Sequence, residues 1–354
     1  MKIELLPMPS AGKRAHLAVA IFLVVFGALL TIATFYDLEV SRILTRFSLK
    51  EGEYYTSDIF ANFFEAAGML PRALIHAASA IVAGWFFAKS FTKKALQAAV
   101  LILAGAMAVY LLADGLDDLV LYPMRHVTAE NADVAEAAIA AMKPTIYFTA
   151  YALSAVIVLL AVYLTGKVPL RIWMRLALVA LVCCLTDFIA GEIVSALKGY
   201  VDRVRFRSMN STYGQEVGGF SLYTRWYEVT DHADLMRATP LVRYTDAFRS
   251  YPSGHTVAAA SSYGLIALND ALEIKDKRVR AALWIGPIVW TGLTAMGRIV
   301  AGAHFMSDVL FGGTIAFVVM ILMREIVLRR FATIKAMFPF VKKREGACEP
   351  SEEK

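Results

Sequence analysis

The chain has 354 residues, of which 58% are hydrophobic and only 19% are charged, and its formal net charge is +6. This composition excludes an ordinary soluble domain and is typical of an integral membrane protein, because a soluble domain of this length carries a larger polar fraction. Three cysteines, two of them adjacent in an apolar run, do not make a disulfide framework.

Eight apolar runs are long enough to cross a bilayer, which takes about 20 residues in a helix. They predict an all-α fold, a polytopic transmembrane helix bundle. The whole chain, 1–354, is expected to be one integral membrane domain, with a disordered tail over 343–354. The first run is too long for the core of a signal peptide. The predicted spans are 15–36, 70–88, 95–113, 146–164, 173–197, 253–272, 281–300 and 307–328.

Alternate connections between these runs are basic. Four basic residues, for example, lie between the sixth and seventh spans, at Lys275, Lys277, Arg278 and Arg280. Because basic loops stay in the cytoplasm, both termini are predicted to be cytoplasmic. We expect a multi-pass protein of a bacterial inner membrane. The segments on the opposite, periplasmic face are then 37–69, 122–144, the mostly irregular loop 198–252, and the turn 301–303.

Three polar clusters fall at span ends on this periplasmic face. Lys198 and Arg205 leave the fifth span, and the run Pro-Ser-Gly-His at 252–255 opens the sixth. Arg298 ends the seventh span, and His304 and Asp308 begin the eighth. These last two are four residues apart, so on a helix their side chains share one face. The small residues at 301–303 allow a tight turn between Arg298 and His304.

The residue types in these clusters suit phosphoryl transfer. Ser253 is positioned to cap a helix whose free backbone N–H groups favour an anion, and Gly254 lets the backbone approach a ligand closely. Lys198, Arg205 and Arg298 supply three cations, enough to hold the oxygens of one phosphate. His255 and His304 remain as proton donor and nucleophile.

Each cluster by itself has an ordinary structural explanation, such as charges beside lipid headgroups or a simple helix cap. The catalytic interpretation gains its weight from the charge pattern of the loops, which independently places all three clusters on one membrane face. The other four histidines have no such neighbours and are interpreted as structural or surface residues: His16, His76, His126 and His232.

The three clusters together resemble the signature of the type-2 phosphatidic acid phosphatase superfamily of membrane lipid phosphatases. That signature reads Lys, six residues, Arg-Pro; then Pro-Ser-Gly-His; then Ser-Arg, five residues, His, three residues, Asp. The resemblance covers about 173–328, the expected phosphatase core. Phe206 replaces the proline of the first motif, and Gly297 replaces the serine of the third. Loss of the serine hydroxyl is expected to alter phosphate placement or specificity.

The resemblance implies a metal-independent phosphatase without a cofactor. His304 would attack phosphorus and form a phosphohistidine, Asp308 would orient His304 through its other ring nitrogen, and His255 would protonate the leaving alkoxide. The implied phosphate-binding residues are Lys198, Arg205, Ser253, Gly254 and Arg298. The expected partner is a lipid phosphate or diphosphate in the bilayer, and no nucleic acid. The sequence leaves the headgroup and the oligomeric state open.

Two alternative functions stay open. A lipid phosphotransferase would use the same intermediate and pass the phosphoryl group to another acceptor. A proton-coupled transporter would instead use acids in or near the spans; the candidates are Asp114, Asp117, Asp118, Asp187 and Glu192, of which Asp187 is expected to pair with a neighbouring span. Headgroup selection is assigned to Arg203, Arg207, Arg225 and the aromatic run 223–227.

Overall fold

The computed structural model describes residues 11–127, 132–229 and 246–337. The regular structure of these residues is helical, which confirms the predicted all-α polytopic bundle. The predicted tail, 343–354, lies outside the described residues. The helices are α1 (Ala11–Thr45), α2 (Ile59–Ala67), α3 (Leu70–Ala88), α4 (Lys94–Val127), α5 (Ala132–Thr165), α6 (Leu170–Val201), α7 (Phe206–Asn210), α8 (Thr212–Glu216), α9 (Gly254–Ala260), α10 (Leu268–Ala271), α11 (Lys277–Val300), α12 (Met306–Arg324) and α13 (Ala332–Met337).

Seven helices of the described chain are long and apolar enough to cross a membrane, against eight predicted spans. The difference lies at the predicted span 253–272. There the chain forms α9, a 3₁₀ segment over Ser261–Ala267, and the short α10 in direct succession. This interrupted helical stretch is largely buried, because it packs between α6, α11 and α12 rather than facing lipid on a broad surface.

The long helices pack closely through small residues, as transmembrane helices commonly do. A Cβ atom added at Gly84 would lie 2.5 Å from the Cβ of Ala104, and one at Gly115 would lie 2.3 Å from the Cβ of Ala73, so α3 and α4 touch at their backbones. Large apolar side chains on other faces, such as Leu103 and Phe148, are more than 70% exposed. Such faces suit a lipid environment.

Two segments on the predicted periplasmic side contain helices. Helix α1 continues through non-helical dihedral angles at Tyr36 and ends only at Thr45. The loop after the fifth span, predicted to be mostly irregular, forms α7, α8 and a 3₁₀ turn over Gly219–Leu222 before residue 229. Both segments pack against the ends of α11 and α12, where the predicted site residues lie.

A polar contact inside the bundle joins α3 to α6. The Asp187 carboxylate accepts a hydrogen bond from Arg72 Nε at 2.8 Å, and its other oxygen lies 3.2 Å from His76 Nε2. The expected pairing of Asp187 with a neighbouring span is therefore confirmed. His76, which the sequence left without a partner, is one of the two groups that satisfy this carboxylate.

Candidate active site

The ends of α6, α9, α11 and α12 meet at one end of the bundle. A Cβ atom added at Gly254 would lie 3.7 Å from Cε of Lys198, which places the first and second motifs side by side. The Ser253 N–H donates to the Asp308 carbonyl at 2.9 Å, and Arg205 Nη1 donates to the Ala303 carbonyl at 3.3 Å. The structure thus brings all three predicted clusters together.

The turn that joins α11 to α12 is tight because of its small residues. Gly302 has φ +62°, a left-handed conformation that glycine adopts without steric cost. The N–H groups of Ala303 and His304 both donate to the Arg298 carbonyl, at 3.1 and 3.2 Å. The turn therefore folds His304 back over the end of α11, beside Arg298.

His304 is buried and its ring is oriented by Ser250. Its Nδ1 lies 2.6 Å from the Ser250 carbonyl oxygen and 3.7 Å from Asp308 Oδ2. A carbonyl only accepts, so Nδ1 carries the proton and Nε2 keeps its lone pair. The Ser250 carbonyl is the nearer acceptor for this nitrogen, and the Asp308 carboxylate also accepts a hydrogen bond from the Ser250 hydroxyl. The orienting role of Asp308 stays a prediction.

The charge state of His304 follows from its surroundings. Burial, followed by the nearby cations Arg205, Lys198 and Arg298, lowers the pKa of His304 well below its ordinary value, and this outweighs the opposite effect of Asp308. His304 is therefore a neutral imidazole at neutral pH. A neutral ring with a free Nε2 lone pair is the form in which histidine can act as a nucleophile.

Asp308 belongs to a fully buried ionic cluster with Arg203, Asp37 and Ser307. Arg203 Nη1 contacts Asp308 Oδ1 at 2.6 Å and the Ser307 hydroxyl at 2.7 Å, and its Nη2 contacts Asp37 Oδ2 at 3.0 Å. Its Nε donates to the Thr224 carbonyl at 2.9 Å. The assignment of Arg203 to headgroup selection is therefore wrong, since all of its nitrogen atoms are engaged inside the protein.

Lys198 and Arg205 line the site beside the segment 246–250. Lys198 Nζ donates to the Arg249 carbonyl at 2.7 Å, and Arg205 Nε donates to the Asp246 carbonyl at 2.7 Å. The Asp246 carboxylate lies 3.3 Å from Arg205 Nη2 and 3.0 Å from Arg207 Nη2. Burial would raise the pKa of Asp246, but Arg205 and Arg207 outweigh it and hold that pKa below its usual range.

Arg207 is also buried, so its assignment to headgroup selection is wrong as well. Its guanidinium lies over the ring of Tyr54, 4.6 Å from the centroid, and over that of Tyr55. Arg225, by contrast, is exposed and donates to the Tyr227 hydroxyl at 2.7 Å. It remains a candidate for contacts outside the protein.

Arg298 pairs with a carboxylate that the motifs did not reveal. Its Nη1 lies 2.5 Å from Glu65 Oε1, and both side chains are almost completely buried. The Nε of Arg298 has no hydrogen-bond partner within the described part of the chain. His255 is partly buried and lies within electrostatic range of Arg298, Glu65 and His304.

Four further site residues were missed by sequence reasoning, although weak signals existed for two. Asp37 and Glu65 are acids within or beside apolar stretches, a pattern that indicates a paired charge. Ser250 and Asp246 stand in a polar loop with no pattern to distinguish them. A fifth residue, Arg203, was named from the sequence but for headgroup selection.

Comparison with known proteins identifies one family for this segment. The PAP2 superfamily matches residues 174–332, which include every one of the predicted site residues but none of α1 to α5. No curated protein and no solved structure matches the chain.

Proposed function

Because residues 174–332 belong to the PAP2 superfamily, whose members are phosphatases, we propose that the protein is a lipid phosphatase that works through a phosphohistidine at His304. The observation that carries this proposal is the state of His304. It is a neutral imidazole whose Nδ1 is occupied by the Ser250 carbonyl, and it lies beside the three cations Lys198, Arg205 and Arg298. An anionic phosphate bound to those cations would face a nucleophile.

In the first step, the lone pair on His304 Nε2 forms a bond to phosphorus. The bond from phosphorus to the ester oxygen breaks, and the leaving alkoxide takes a proton from the imidazolium form of His255. Burial and Arg298 lower the pKa of His255, and the phosphate anion, once bound, opposes that effect and favours the protonated ring. The proton stays on His304 Nδ1, which donates it to the Ser250 carbonyl, so the positive charge on the phosphorylated ring is stabilised by the Ser250 dipole and the nearby Asp308 carboxylate.

In the second step, His255 takes a proton from water, and the resulting hydroxide attacks phosphorus. The bond between phosphorus and His304 Nε2 breaks, which releases inorganic phosphate and restores the neutral ring. Lys198, Arg205 and Arg298, together with the backbone at Ser253 and Gly254, would hold the phosphoryl oxygens through both steps. Fixed positive groups supply this stabilisation without a metal ion or a cofactor.

The substrate we propose is a lipid phosphate or diphosphate that stays in the bilayer. The site lies at the ends of apolar helices long enough to span a membrane, so the phosphate of a bilayer lipid reaches it without leaving the headgroup layer. From the basic loops we infer that this end of the bundle faces the periplasm, in a bacterial inner membrane.

The test is phosphate release in detergent from phosphatidate, phosphatidylglycerol phosphate, undecaprenyl diphosphate and a lipid A phosphate. We expect release from at least one of these lipids, and His304→Ala should reduce it by about 10³-fold or more, because the nucleophile is lost. His16→Ala removes an exposed histidine of α1 and serves as the matched control. Release by His304→Ala at the wild-type rate would exclude the mechanism, and label transferred to a second lipid would indicate a phosphotransferase.

A further inference from the structure

Helix α2 lies against α11 at the one position where the third motif departs from the family pattern. A Cβ atom added at Gly297 would lie 2.8 Å from Cβ of Phe64, and one added at Gly68 would lie 2.5 Å from Cγ2 of Thr294. The rings of Phe64 and Trp290 are 5.6 Å apart. Glycine at 297 is therefore explained by packing, since a serine side chain would occupy the space that Phe64 fills.

The packing of α2 on α11 brings the Glu65 carboxylate next to Arg298, one of the proposed phosphate-binding cations. Glu65 follows Phe64 on α2, and its Oε1 lies 2.5 Å from Arg298 Nη1 and 4.0 Å from Arg207 Nη1. The side chain of Glu65 is only 3% exposed. A buried negative charge thus stands beside Arg298, which the proposed mechanism assigns to the substrate's phosphate.

Helix α2 is held in this position by hydrogen bonds at its own start and by a contact between the preceding segment and the end of α11. Asp58 caps its first turn by accepting from the Ala61 N–H at 2.8 Å, and Asn62 donates to the Thr56 carbonyl at 3.1 Å. Just before it, the Ser48 hydroxyl donates to the Val300 carbonyl at the end of α11, at 2.6 Å. These contacts, with the packing of Phe64 against Gly297, hold Glu65 beside Arg298.

We infer that Glu65 is an internal competitor of the phosphate for Arg298 and so sets how strongly the site holds an anion. This inference rests on the proposed function. Within the described part of the chain neither Nε nor Nη1 of Arg298 makes a hydrogen bond, although Nη1 lies 2.5 Å from Glu65 Oε1, so this guanidinium has donors left for a ligand beside the carboxylate. A phosphate that binds Arg298 is repelled by Glu65, which weakens its binding and hastens the release of inorganic phosphate after each turnover.

The experiment compares wild type with Glu65→Gln by titration calorimetry with inorganic phosphate, in detergent and at fixed ionic strength. Glutamine keeps the shape and an acceptor oxygen for Arg298 but removes the negative charge. We expect phosphate to bind about tenfold more tightly to Glu65→Gln, because one repulsive charge is lost from a poorly solvated site. Inorganic phosphate should also become a correspondingly stronger inhibitor of lipid phosphate hydrolysis.

The matched control is Glu51→Gln, which removes the same charge from an exposed position ahead of α2 and should change the dissociation constant less than twofold. If Glu65→Gln fails to fold, Glu65→Asp withdraws the carboxylate by one methylene and should shift the affinity in the same direction. Unchanged or weaker phosphate binding in a folded variant overturns the inference. That result leaves wild-type hydrolysis and its dependence on His304 intact, so it is distinct from a failure of the proposed function.

Discussion

Two buried arginines at the candidate site, Arg203 and Arg298, have very different surroundings. Arg203 binds Asp37, Asp308, the Ser307 hydroxyl and the Thr224 carbonyl, which engages all three of its nitrogen atoms. Arg298 is equally buried, yet among the described residues it forms an ion pair with Glu65 while its Nε and Nη1 make no hydrogen bond.

The difference indicates two roles: Arg203 stabilises the structure of the site, whereas Arg298 has donors that a ligand can use. A saturated guanidinium holds its carboxylates in place, because each buried charge is compensated. A guanidinium with unused donors carries a desolvation cost that an incoming anion can relieve. On this comparison we expect Arg203 to position Asp308 and the start of α12, and Arg298 to bind the phosphate of the proposed substrate.

The largest loss of stability is expected for Arg203→Gln. This change leaves Asp37 and Asp308 buried without a counter-charge, so we expect the free energy of unfolding to fall by about 3–5 kcal/mol. Denaturation in detergent, followed by intrinsic fluorescence, measures it. A loss no larger than that of Arg298→Gln would remove the distinction between the two arginines.

The same substitution at Arg298 should act on activity instead. We expect Arg298→Gln to lower the rate of phosphate release by about 10²–10³-fold, the usual effect of removing one group that stabilises transition-state charge. The measurement is release from the best substrate of the lipid panel, with the unfolding transition as a check on folding. Activity near that of wild type would show that phosphate binds elsewhere.

The contact that brings Glu65 to Arg298 can be disturbed through Gly297. Gly297→Ser places a side chain against Phe64, and we expect a loss of about 1–3 kcal/mol in stability from overpacking. Gly286→Ser is the control on the same helix, because nothing lies within 4 Å of the Cβ position there. Equal stability of the two variants would contradict the tight packing of α2 on α11.

The smallest effect concerns the pH dependence of stability. Burial, then Arg205, Lys198 and Arg298, lower the pKa of His304, so the folded protein leaves this ring neutral where an unfolded chain protonates it at about pH 6.5. The unfolded state then binds more protons, and stability decreases as the pH falls below that value. His304→Ala should lack this part of the decrease. Identical pH profiles for the two proteins would indicate an unshifted histidine.

Much of the site was accessible from sequence because its signals are local. The spacing of His304 and Asp308, the Pro-Ser-Gly-His run and the seven-residue step from Lys198 to Arg205 each lie within one short segment. The capping role of Ser253 is confirmed, since its hydroxyl accepts from the Thr256 N–H. The misplacement of Arg203 and Arg207 has the opposite cause, because their acidic partners come from distant segments.

The sequence by itself determined that this is a membrane-embedded helical bundle with a family signature in its second half, because hydropathy and motif spacing are properties of neighbouring residues. The tertiary structure alone decided which acids meet those motifs. Asp37 contacts Ser307 across 270 positions of the chain, and Glu65 reaches Arg298 because glycines let α2 and α11 approach closely. Such contacts depend on how helices pack, and packing between distant segments leaves no local pattern that could predict it.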